Sequence, residues 1–175
     1  MKAVFLDRDG TINAGIPKYE RVDSVEKVEL LPNVLAGLEL LAGLDYGVFF
    51  ITNQAGLAEG LITKEDLDTI NNKVLEFIEP SKVNVLETYL CPHGEDYNCD
   101  CRKPKPGLLK DAAKKYQIKL SESWMVGDRL SDIQTGINAG TRTILVQTGS
   151  ILEAQGADYV APNLLDAVKY ITAHS

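Results

Sequence analysis

The sequence predicts an α/β protein built in three layers, with helices covering both faces of a mostly parallel sheet. Strand and helix patterns alternate along the chain, and the predicted strands are short continuous apolar runs, as in sheets that are buried on both faces. The unusual polar residues directly follow those runs, where open parallel sheets bind their ligands. Because the chain shows no internal repeat or linker, its 175 residues predict a single domain over residues 1–175.

The first half of the chain contains three predicted strands separated by two predicted helices. Pro32 suits the first turn of a helix, and leucines follow it at helical spacing. Thr63 is a predicted N-cap, because Asp66 three residues later can complete a capping box. We predict a strand at residues 2–7, a helix at 32–45, a strand at 47–52, a helix from 63 to 79 and a strand at 83–90.

The second half of the chain continues this alternation with shorter elements. We predict a helix at residues 106–116, a strand at 124–127, a helix at 130–139, a strand at 143–146, a short strand at 158–160 and a last helix from 163. Because ligands bind beyond the carboxyl ends of strands in such sheets, we expect the chemistry directly after each strand.

Composition and charge exclude several classes of function. A net charge of −7 and a pI near 4.9 argue against a nucleic-acid-binding surface, which would be basic. No apolar segment is long enough to span a bilayer. Because the first residues run directly into a predicted strand, we expect no signal peptide. The three cysteines all lie between residues 91 and 101, which is no disulfide framework and fits a reducing compartment. We therefore expect a cytoplasmic monomer that acts on a small molecule, with no nucleic-acid or membrane partner.

Two aspartates, Asp7 and Asp9, end the first predicted strand and are followed by Gly-Thr. Carboxylates this close are costly to hold together unless a cation lies between them or they share a proton. One of them could attack phosphorus while the other handles a proton, with Mg²⁺ between them and the substrate. The alternative is an ordinary turn after a strand, in which Asp and Gly are common.

Polar residues also follow the second and fourth predicted strands. The hydroxyl of Thr52 and the backbone N–H groups after it can hold a phosphoryl oxygen, and a capping turn is the alternative. Asp128 would complete an oxygen cage for Mg²⁺, although it could instead cap the following helix. Because Asp7 and Asp9 are expected at the same end of a neighbouring strand, the pattern favours a metal site. Asp132 would then orient Asp128 or its water shell.

A cluster of metal-ligand residues lies between these segments. Cys91, His93, Cys99 and Cys101 form a full tetrahedral set for Zn²⁺, which leaves no open position and predicts a structural zinc. The alternatives are free thiols or a disulfide, but a bridge between Cys99 and Cys101 would close a very small, strained ring.

Two cationic residues, Arg102 and Lys103, immediately follow the last of these ligands. A zinc ion would hold this loop, and with it both side chains, in one place. Arg102 could then hold a second anionic group of a substrate by bidentate contact. The alternative is a solvated pair of surface charges.

Taken in order, these segments resemble the four motifs of the haloacid-dehalogenase (HAD) superfamily of aspartate-nucleophile phosphotransferases. Within it, the chain resembles the D-glycero-D-manno-heptose 1,7-bisphosphate phosphatases. The matching segments are LDRDGTIN at 6–13, TNQAG at 52–56, CPH at 91–93, CDCRKP at 99–104 and GDR at 127–129. The resemblance implies a HAD-like Rossmannoid fold with little or no cap domain, Mg²⁺, a structural Zn²⁺, and a role in making heptose for lipopolysaccharide.

The resemblance also implies a role for each candidate site residue. Asp7 would be the nucleophile and Asp9 the general acid and base. Thr52 and Lys103 would stabilise the transferring phosphoryl group. Mg²⁺ would be held by Asp7, by Asp9 through its backbone carbonyl, and by Asp128. The substrate would be bound by Gly15, Lys18, Asn53, Gln54, Ala55, Arg102 and Arg129.

Three alternative functions compete with this prediction. Histidinol-phosphate phosphatase shares the DRDGT start and the zinc loop. The heptose family is favoured instead by the TIN segment that ends at Asn13 and by residues 55–60. A polynucleotide 3′-phosphatase would not need the zinc loop, and the acidic charge argues against it. A non-catalytic zinc-binding interaction domain would not need all the catalytic residues together. The chain departs from the heptose family in its short loop between His93 and Cys99, and in Arg129, where many relatives carry lysine.

Overall fold

The computed structural model describes residues 1–15, 18, 21–149 and 156–175, and these residues contain one six-stranded sheet. Every pairing between neighbouring strands is parallel. The strands are β1 (Ala3–Asp7), β2 (Gly47–Asn53), β3 (Val85–Cys91), β4 (Trp124–Gly127), β5 (Arg142–Val146) and β6 (Tyr159–Ala161). Their order across the sheet is β3-β2-β1-β4-β5-β6, which confirms the predicted parallel sheet.

The described residues form five α-helices, each close to its predicted position. They are α1 (Val34–Ala42), α2 (Lys64–Ile78), α3 (Gly107–Tyr116), α4 (Leu130–Ala139) and α5 (Leu164–Ala173). The first helix begins later than predicted, because Asn33 adopts a left-handed backbone conformation with φ of 66°. The predicted capping box of α2 is confirmed: the Asp66 N–H donates to Thr63 Oγ1 at 3.1 Å, and the Thr63 N–H donates to Asp66 Oδ2 at 3.1 Å.

The central strand β1 shows why the predicted strands are continuous apolar runs. Val4 and Leu6 pack into a core cluster on one face of the sheet, whereas Ala3 and Phe5 pack into a second cluster on the other face. Buried side chains of α1, α2 and α5 belong to the first cluster, and those of α3 belong to the second. The three-layer architecture predicted from the sequence is therefore confirmed.

The strand order changes direction between β1 and β4. From β1 the chain first adds β2 and β3 on one side of the sheet, and it then adds β4, β5 and β6 on the other. The carboxyl ends of β1 and β4 are neighbours, with Leu6 paired to Val126. Open α/β sheets bind ligands at such a switch point, so the residues after these two strands are placed at the expected binding edge. None of the described helices is long and apolar enough to cross a lipid bilayer.

Candidate active site

Three buried carboxylates meet at the switch point. Asp7 ends β1, Asp128 directly follows β4, and Asp132 lies in the first turn of α4. One oxygen from each of these residues lies within 4.8 Å of the others. The sequence predicted the pairing of the first two, because both follow neighbouring strands.

The side chain of Lys103 enters this carboxylate cluster from the loop after β3. Its Nζ forms an ion pair with Asp7, lies 2.6 Å from Asp132 Oδ1 and donates to the Ile51 carbonyl oxygen at 3.1 Å. Burial alone would lower the pKa of Lys103, but Asp132 and Asp7 outweigh burial and raise this pKa. Lys103 is therefore a buried ammonium group beside the candidate nucleophile.

Asp132 makes contacts that the sequence did not indicate. One carboxylate oxygen is the ion-pair partner of Lys103, and the other accepts the Arg129 backbone N–H at 3.0 Å. This second contact caps the start of α4 and fixes the carboxylate in a fully buried position. The contacts seen for Asp132 hold Lys103 and the helix start. The expected role of Asp132 in orienting Asp128 or its water shell stays a prediction.

The carboxylate cluster fits a divalent cation. Burial raises the pKa of Asp7 well above its usual value, and the neighbouring Asp132 and Asp128 raise it further, although Lys103 opposes them. Burial and the charge of Asp132 likewise raise the pKa of Asp128 to about 6. Within the described residues, three carboxylates face one ammonium group here, and Asp128 Oδ1 is buried without a hydrogen-bond partner. A hard, oxygen-binding dication such as Mg²⁺ would offset the repulsion between the carboxylates and would give Asp128 Oδ1 a ligand contact.

Two glycines allow the backbone to approach Asp128 closely. A Cβ atom on Gly10, which has a φ of 102°, would lie 2.4 Å from Asp128 Oδ2. A Cβ atom on Gly149 would lie 1.9 Å from the same oxygen. Sequence reasoning missed Gly149, although its place shortly after β5 follows the same rule that identified the other strand-end residues.

The carboxylate of Asp9 is held by a network of side chains. Arg8 binds it in a bidentate manner, with Nε 2.9 Å from Oδ1 and Nη2 2.8 Å from Oδ2. Asn13 Nδ2 donates to Oδ1 at 3.0 Å, and Gln54 Nε2 donates to Oδ2 at 2.8 Å. Burial alone would raise the pKa of Asp9, but Arg8 and these hydrogen bonds outweigh it and lower the pKa. Arg8 is itself fully buried, and its Nη1 donates to Asn71 Oδ1 of α2 at 2.6 Å.

The residues after β2 connect the reaction centre to the loop that carries Lys103. Thr52 is buried, and its Oγ1 accepts a hydrogen bond from Gln54 Nε2 at 2.8 Å. Asn53 Oδ1 accepts the Lys103 backbone N–H at 3.1 Å, and Asn53 Nδ2 donates to the Lys103 carbonyl oxygen at 3.3 Å. These bonds fix the backbone of Lys103 relative to β2.

A cavity of about 170 Å³ opens above these groups. It is bordered by most of the substrate-binding residues proposed from the sequence, and by Arg21, which sequence reasoning missed. The proposed residues that line it are Gly15, Asn53, Gln54, Ala55, Arg102 and Arg129. Lys18 is not among its lining residues and pairs with Glu29 instead. A larger neighbouring cavity of about 620 Å³ shares Arg102, Lys103 and Arg129 with the first.

Arg102 is anchored beside the four candidate zinc ligands. Its Nη1 donates to the His93 carbonyl oxygen at 3.0 Å, and its Nη2 lies 3.3 Å from Glu95 Oε1. Arg129 reaches out from the start of α4, with its Nε 3.9 Å from Asp128 Oδ2. Both guanidinium groups therefore border the cavity from anchored segments: Arg102 from the loop of the candidate zinc ligands, and Arg129 from the start of α4.

Cys91, His93, Cys99 and Cys101 converge as the sequence predicted. Cys91 Sγ lies 3.7 Å from Cys99 Sγ and 3.0 Å from Cys101 Sγ, so no disulfide links these cysteines, all of which are described. His93 Nδ1 lies 3.7 Å from Cys91 Sγ and 3.3 Å from Cys101 Sγ. A tetrahedral zinc site with Zn–S bonds of about 2.3 Å needs ligand separations of about 3.5 to 3.8 Å. The four ligand atoms therefore fit a zinc ion with small adjustments.

The thiols of this cluster differ in their acidity. Burial opposes ionisation of Cys99, but hydrogen bonds from the Arg102 backbone and from Cys101 outweigh burial and lower the pKa of Cys99 to about 6. Burial and the neighbouring thiol of Cys91 raise the pKa of Cys101 to about 12. Crowded thiols of this kind lose their protons together when a metal ion binds them.

Comparison with known proteins supports the same chemistry. The profile of the HAD-hydrolase-like family matches residues 100–167. The chain is 38% identical over 150 residues to D-glycero-beta-D-manno-heptose-1,7-bisphosphate 7-phosphatase of Bordetella bronchiseptica, covering 86% of this chain and 83% of the relative. It is 36% identical over 181 residues to the protein of the same name from Haemophilus ducreyi, covering 97% of this chain and 98% of the relative. The 7-phosphatase from Photorhabdus laumondii, named for the alpha anomer, is 36% identical and covers 85% of this chain and 84% of the relative.

A solved structure extends the similarity to the whole chain. The D,D-heptose 1,7-bisphosphate phosphatase of B. bronchiseptica, in complex with magnesium and phosphate, superposes with a TM-score of 0.90 and 33% identity over all of both chains. A HAD-like phosphatase from Mesorhizobium loti has a TM-score of 0.80 and 30% identity, covering 98% of this chain and 87% of that one. The comparisons favour neither histidinol-phosphate phosphatase nor a non-catalytic zinc domain. The chain belongs to the heptose-1,7-bisphosphate 7-phosphatase family, a group of phosphoric monoester hydrolases with the HAD-like fold.

Proposed function

We propose that this protein removes the 7-phosphate from D-glycero-D-manno-heptose 1,7-bisphosphate through an aspartyl-phosphate intermediate. The observation that carries the proposal is the meeting of Asp7, Asp128 and Lys103 at the switch point of the sheet. A nucleophile, a candidate metal site and a buried cation lie together there. The relatives are named as 7-phosphatases of this bisphosphate, and the solved structure from B. bronchiseptica matches the whole chain.

The reaction would proceed in two steps with Asp7 and Asp9 in complementary roles. In the first step an oxygen of Asp7 attacks phosphorus, the bond from phosphorus to the sugar oxygen breaks, and Asp9 gives that oxygen its proton. In the second step water attacks the phosphorus of the aspartyl phosphate and loses a proton to Asp9, which frees phosphate and restores Asp7. Arg8 and the hydrogen bonds from Asn13 and Gln54 lower the pKa of Asp9 in the free protein. Asp9 would therefore have to gain a proton when substrate binds before it could protonate the sugar oxygen.

Neighbouring groups would offset the charge that develops on the phosphoryl oxygens. The Lys103 ammonium lies beside Asp7, and the Thr52 hydroxyl lies at the end of the adjacent strand β2. A Mg²⁺ ion held by Asp7, Asp128 and the backbone carbonyl of Asp9 would supply further electrostatic stabilisation of the transferring group. Gln54 links Thr52 to Asp9, so the acid–base residue and the phosphoryl-binding residue are held together.

A zinc ion on Cys91, His93, Cys99 and Cys101 would have a structural role. The four ligands leave no open position for substrate, and Arg102 follows the last of them directly. The ion would therefore fix the loop that presents Arg102 to the substrate. We also propose that the protein acts as a monomer in the cytoplasm. A reducing compartment of this kind would keep its unpaired cysteines available for metal.

A substrate panel tests the proposed function. We expect kcat/KM for heptose 1,7-bisphosphate to exceed that for histidinol phosphate by at least about 10²-fold, which is about 2.7 kcal/mol of transition-state discrimination. The physical reason is the cationic rim formed by Arg102 and Arg129, which suits a second phosphate and disfavours the amine and imidazole of histidinol phosphate. Both anomers of the bisphosphate are included, and the released phosphate and the sugar product are quantified by phosphate assay and NMR.

A nucleophile variant is the control for the substrate panel, and one result with the wild-type protein would contradict the proposed substrate. Asp7→Asn should remove turnover of every substrate, because the amide cannot act as the nucleophile. A variant that kept about a tenth of the wild-type rate would refute the assignment of Asp7. Equal or better turnover of histidinol phosphate by the wild-type protein would refute the heptose substrate while leaving the phosphatase mechanism intact.

A further inference from the structure

Arg21 lines the same cavity as Asp7 and Asp9, although no motif in the sequence selected it. Its side chain keeps 31% of its surface exposed, so the guanidinium remains accessible from the cavity and the solvent. Its Nη2 donates a hydrogen bond to Glu59 Oε2 at 2.7 Å. An accessible arginine that lines this cavity needs a functional explanation, because the substrate of the proposed function is an anion.

The turn that follows β2 holds Arg21 in place. Glu59 forms the ion pair from this turn, and Gly56 in the same turn leaves space for the arginine. A Cβ atom on Gly56 would lie 3.2 Å from Arg21 Cδ and 3.3 Å from Arg21 Nε, so the side chain packs directly on this backbone. Gln54, just before the turn, contacts Asp9. The Arg21 guanidinium is therefore positioned relative to the reaction centre by the same segment that positions the acid–base residue.

Arginines from three separate segments border the cavity: Arg21, Arg102 and Arg129. Lys103 is already engaged with Asp7 at the floor, where the transferring phosphoryl group would lie. A sugar bisphosphate brings a second phosphate dianion, which has to lie away from that floor and needs its own cation. We propose that Arg21 binds this distal phosphate and is a specificity-determining residue for bisphosphates, an inference that rests on the proposed function.

The pairing of Arg21 with Glu59 is compatible with such a role. The Glu59 side chain is 43% exposed, and exposed ion pairs of this kind add little to stability. A phosphate dianion carries more charge than one carboxylate and accepts two parallel hydrogen bonds from a guanidinium. Substrate can therefore share or replace Glu59 as the partner of Arg21.

The test compares two substrates that differ in the distal phosphate. We would measure kcat/KM for heptose 1,7-bisphosphate and for p-nitrophenyl phosphate, and use their ratio as the readout. Arg21→Gln should lower this ratio by at least about tenfold, because it removes charge-assisted hydrogen bonds to the distal phosphate only. Arg21→Lys keeps the positive charge but loses the paired N–H donors of the guanidinium. Its ratio should therefore lie between those of Arg21→Gln and the wild-type protein.

Two matched variants separate substrate binding from a structural role. Glu59→Gln breaks the same ion pair but leaves the guanidinium, so its ratio should stay within about threefold of wild type. Lys115→Gln removes an exposed cation paired with Glu87 outside the cavity, and it should leave both substrates unaffected. Thermal melting of each variant identifies any loss of folding.

Each outcome supports or overturns the inference. A ratio that falls in Arg21→Gln but holds in Glu59→Gln supports a direct contact with the distal phosphate. An unchanged ratio in Arg21→Gln, or an equal fall in both variants, overturns the role of Arg21 and leaves the proposed function standing. A wild-type protein that does not prefer the bisphosphate overturns the proposed function itself, and this result is visible before any variant is made.

Discussion

Replacing Gly149 with alanine tests whether close backbone packing fixes the candidate metal ligand Asp128. The added Cβ atom would lie 1.9 Å from Asp128 Oδ2 and 2.7 Å from its Cγ. Real Cβ atoms essentially never come within 3.0 Å of such neighbours, so the carboxylate has to move by about 1 Å. The φ of Gly149 is not in the left-handed region, so the expected effect is steric and not a backbone strain.

The carboxylate has little room to move without leaving its place in the cluster. Gly10 approaches Asp128 Oδ2 so closely that a Cβ atom there would lie at 2.4 Å. Displacement by about 1 Å at a reaction centre typically lowers the rate by about 10²-fold, which is about 2.7 kcal/mol. We therefore expect Gly149→Ala to lower kcat/KM by about 10²-fold for the bisphosphate and for small phosphomonoesters alike, and to raise the Mg²⁺ concentration needed for half-maximal rate.

The assay is a Mg²⁺ titration of phosphate release, combined with thermal melting. Gly43→Ala is the matched control, because its added Cβ would meet only the Leu40 carbonyl oxygen at the ordinary distance of 3.4 Å. It should keep wild-type kinetics and Mg²⁺ dependence. If Gly149→Ala kept both its kcat/KM and its Mg²⁺ requirement within about threefold of wild type, Asp128 would not be held by this packing, and the reasoning would fail.

Two further predictions concern the metal sites. In the metal-free protein, the raised pKa of Asp128, about 6, stabilises the fold below about pH 4, and this contribution is lost as the pH rises through about 6. Mg²⁺ should therefore raise the melting temperature more at about pH 7 than at about pH 5. Asp128→Asn should make the Mg²⁺ effect at the two pH values more alike. If this variant kept the full wild-type difference between the two pH values, Asp128 would not be the metal ligand responsible. Cys99→Ser should lower zinc to well below one ion per chain, with a lower but still cooperative melting transition, because both core clusters are built mainly from the sheet and its helices. Metal analysis of active wild-type protein purified without added zinc provides the check, and a zinc content near zero would overturn the structural zinc.

Local patterns were enough to predict the sheet and the chemical character of its binding edge. Each buried parallel strand is a short apolar run, and the residue at which the run ends marks the carboxyl edge. Asp7, Thr52 and Asp128 were identified in this way, and the cysteine and histidine spacing identified the metal-ligand cluster. The structure brings these residues together, because strand polarity and the type of side chain depend on neighbouring residues in the sequence. Their catalytic and metal-binding roles stay predictions.

The bounds of the first helix were predicted less well than those of the other elements. Pro32 and the leucines after it indicated a helix, yet the left-handed conformation of Asn33 delays its start. The later part of the segment ends at Ala42, before the predicted boundary. A leucine-rich pattern gives the buried face of a helix but does not specify where its terminal hydrogen bonds are satisfied.

The sequence by itself determined the fold class, the strand-end carboxylates and the set of candidate metal ligands. Only the tertiary structure decided that Arg8 is buried against Asp9 and Asn71, that Lys103 lies between two carboxylates, and that Arg21 borders the cavity. The reason is physical: from the local sequence pattern alone, a charged side chain is expected to be exposed to solvent. Its burial depends on partners brought from distant segments, such as α2 for Arg8 and α4 for Lys103, and those partners meet only when the layers pack.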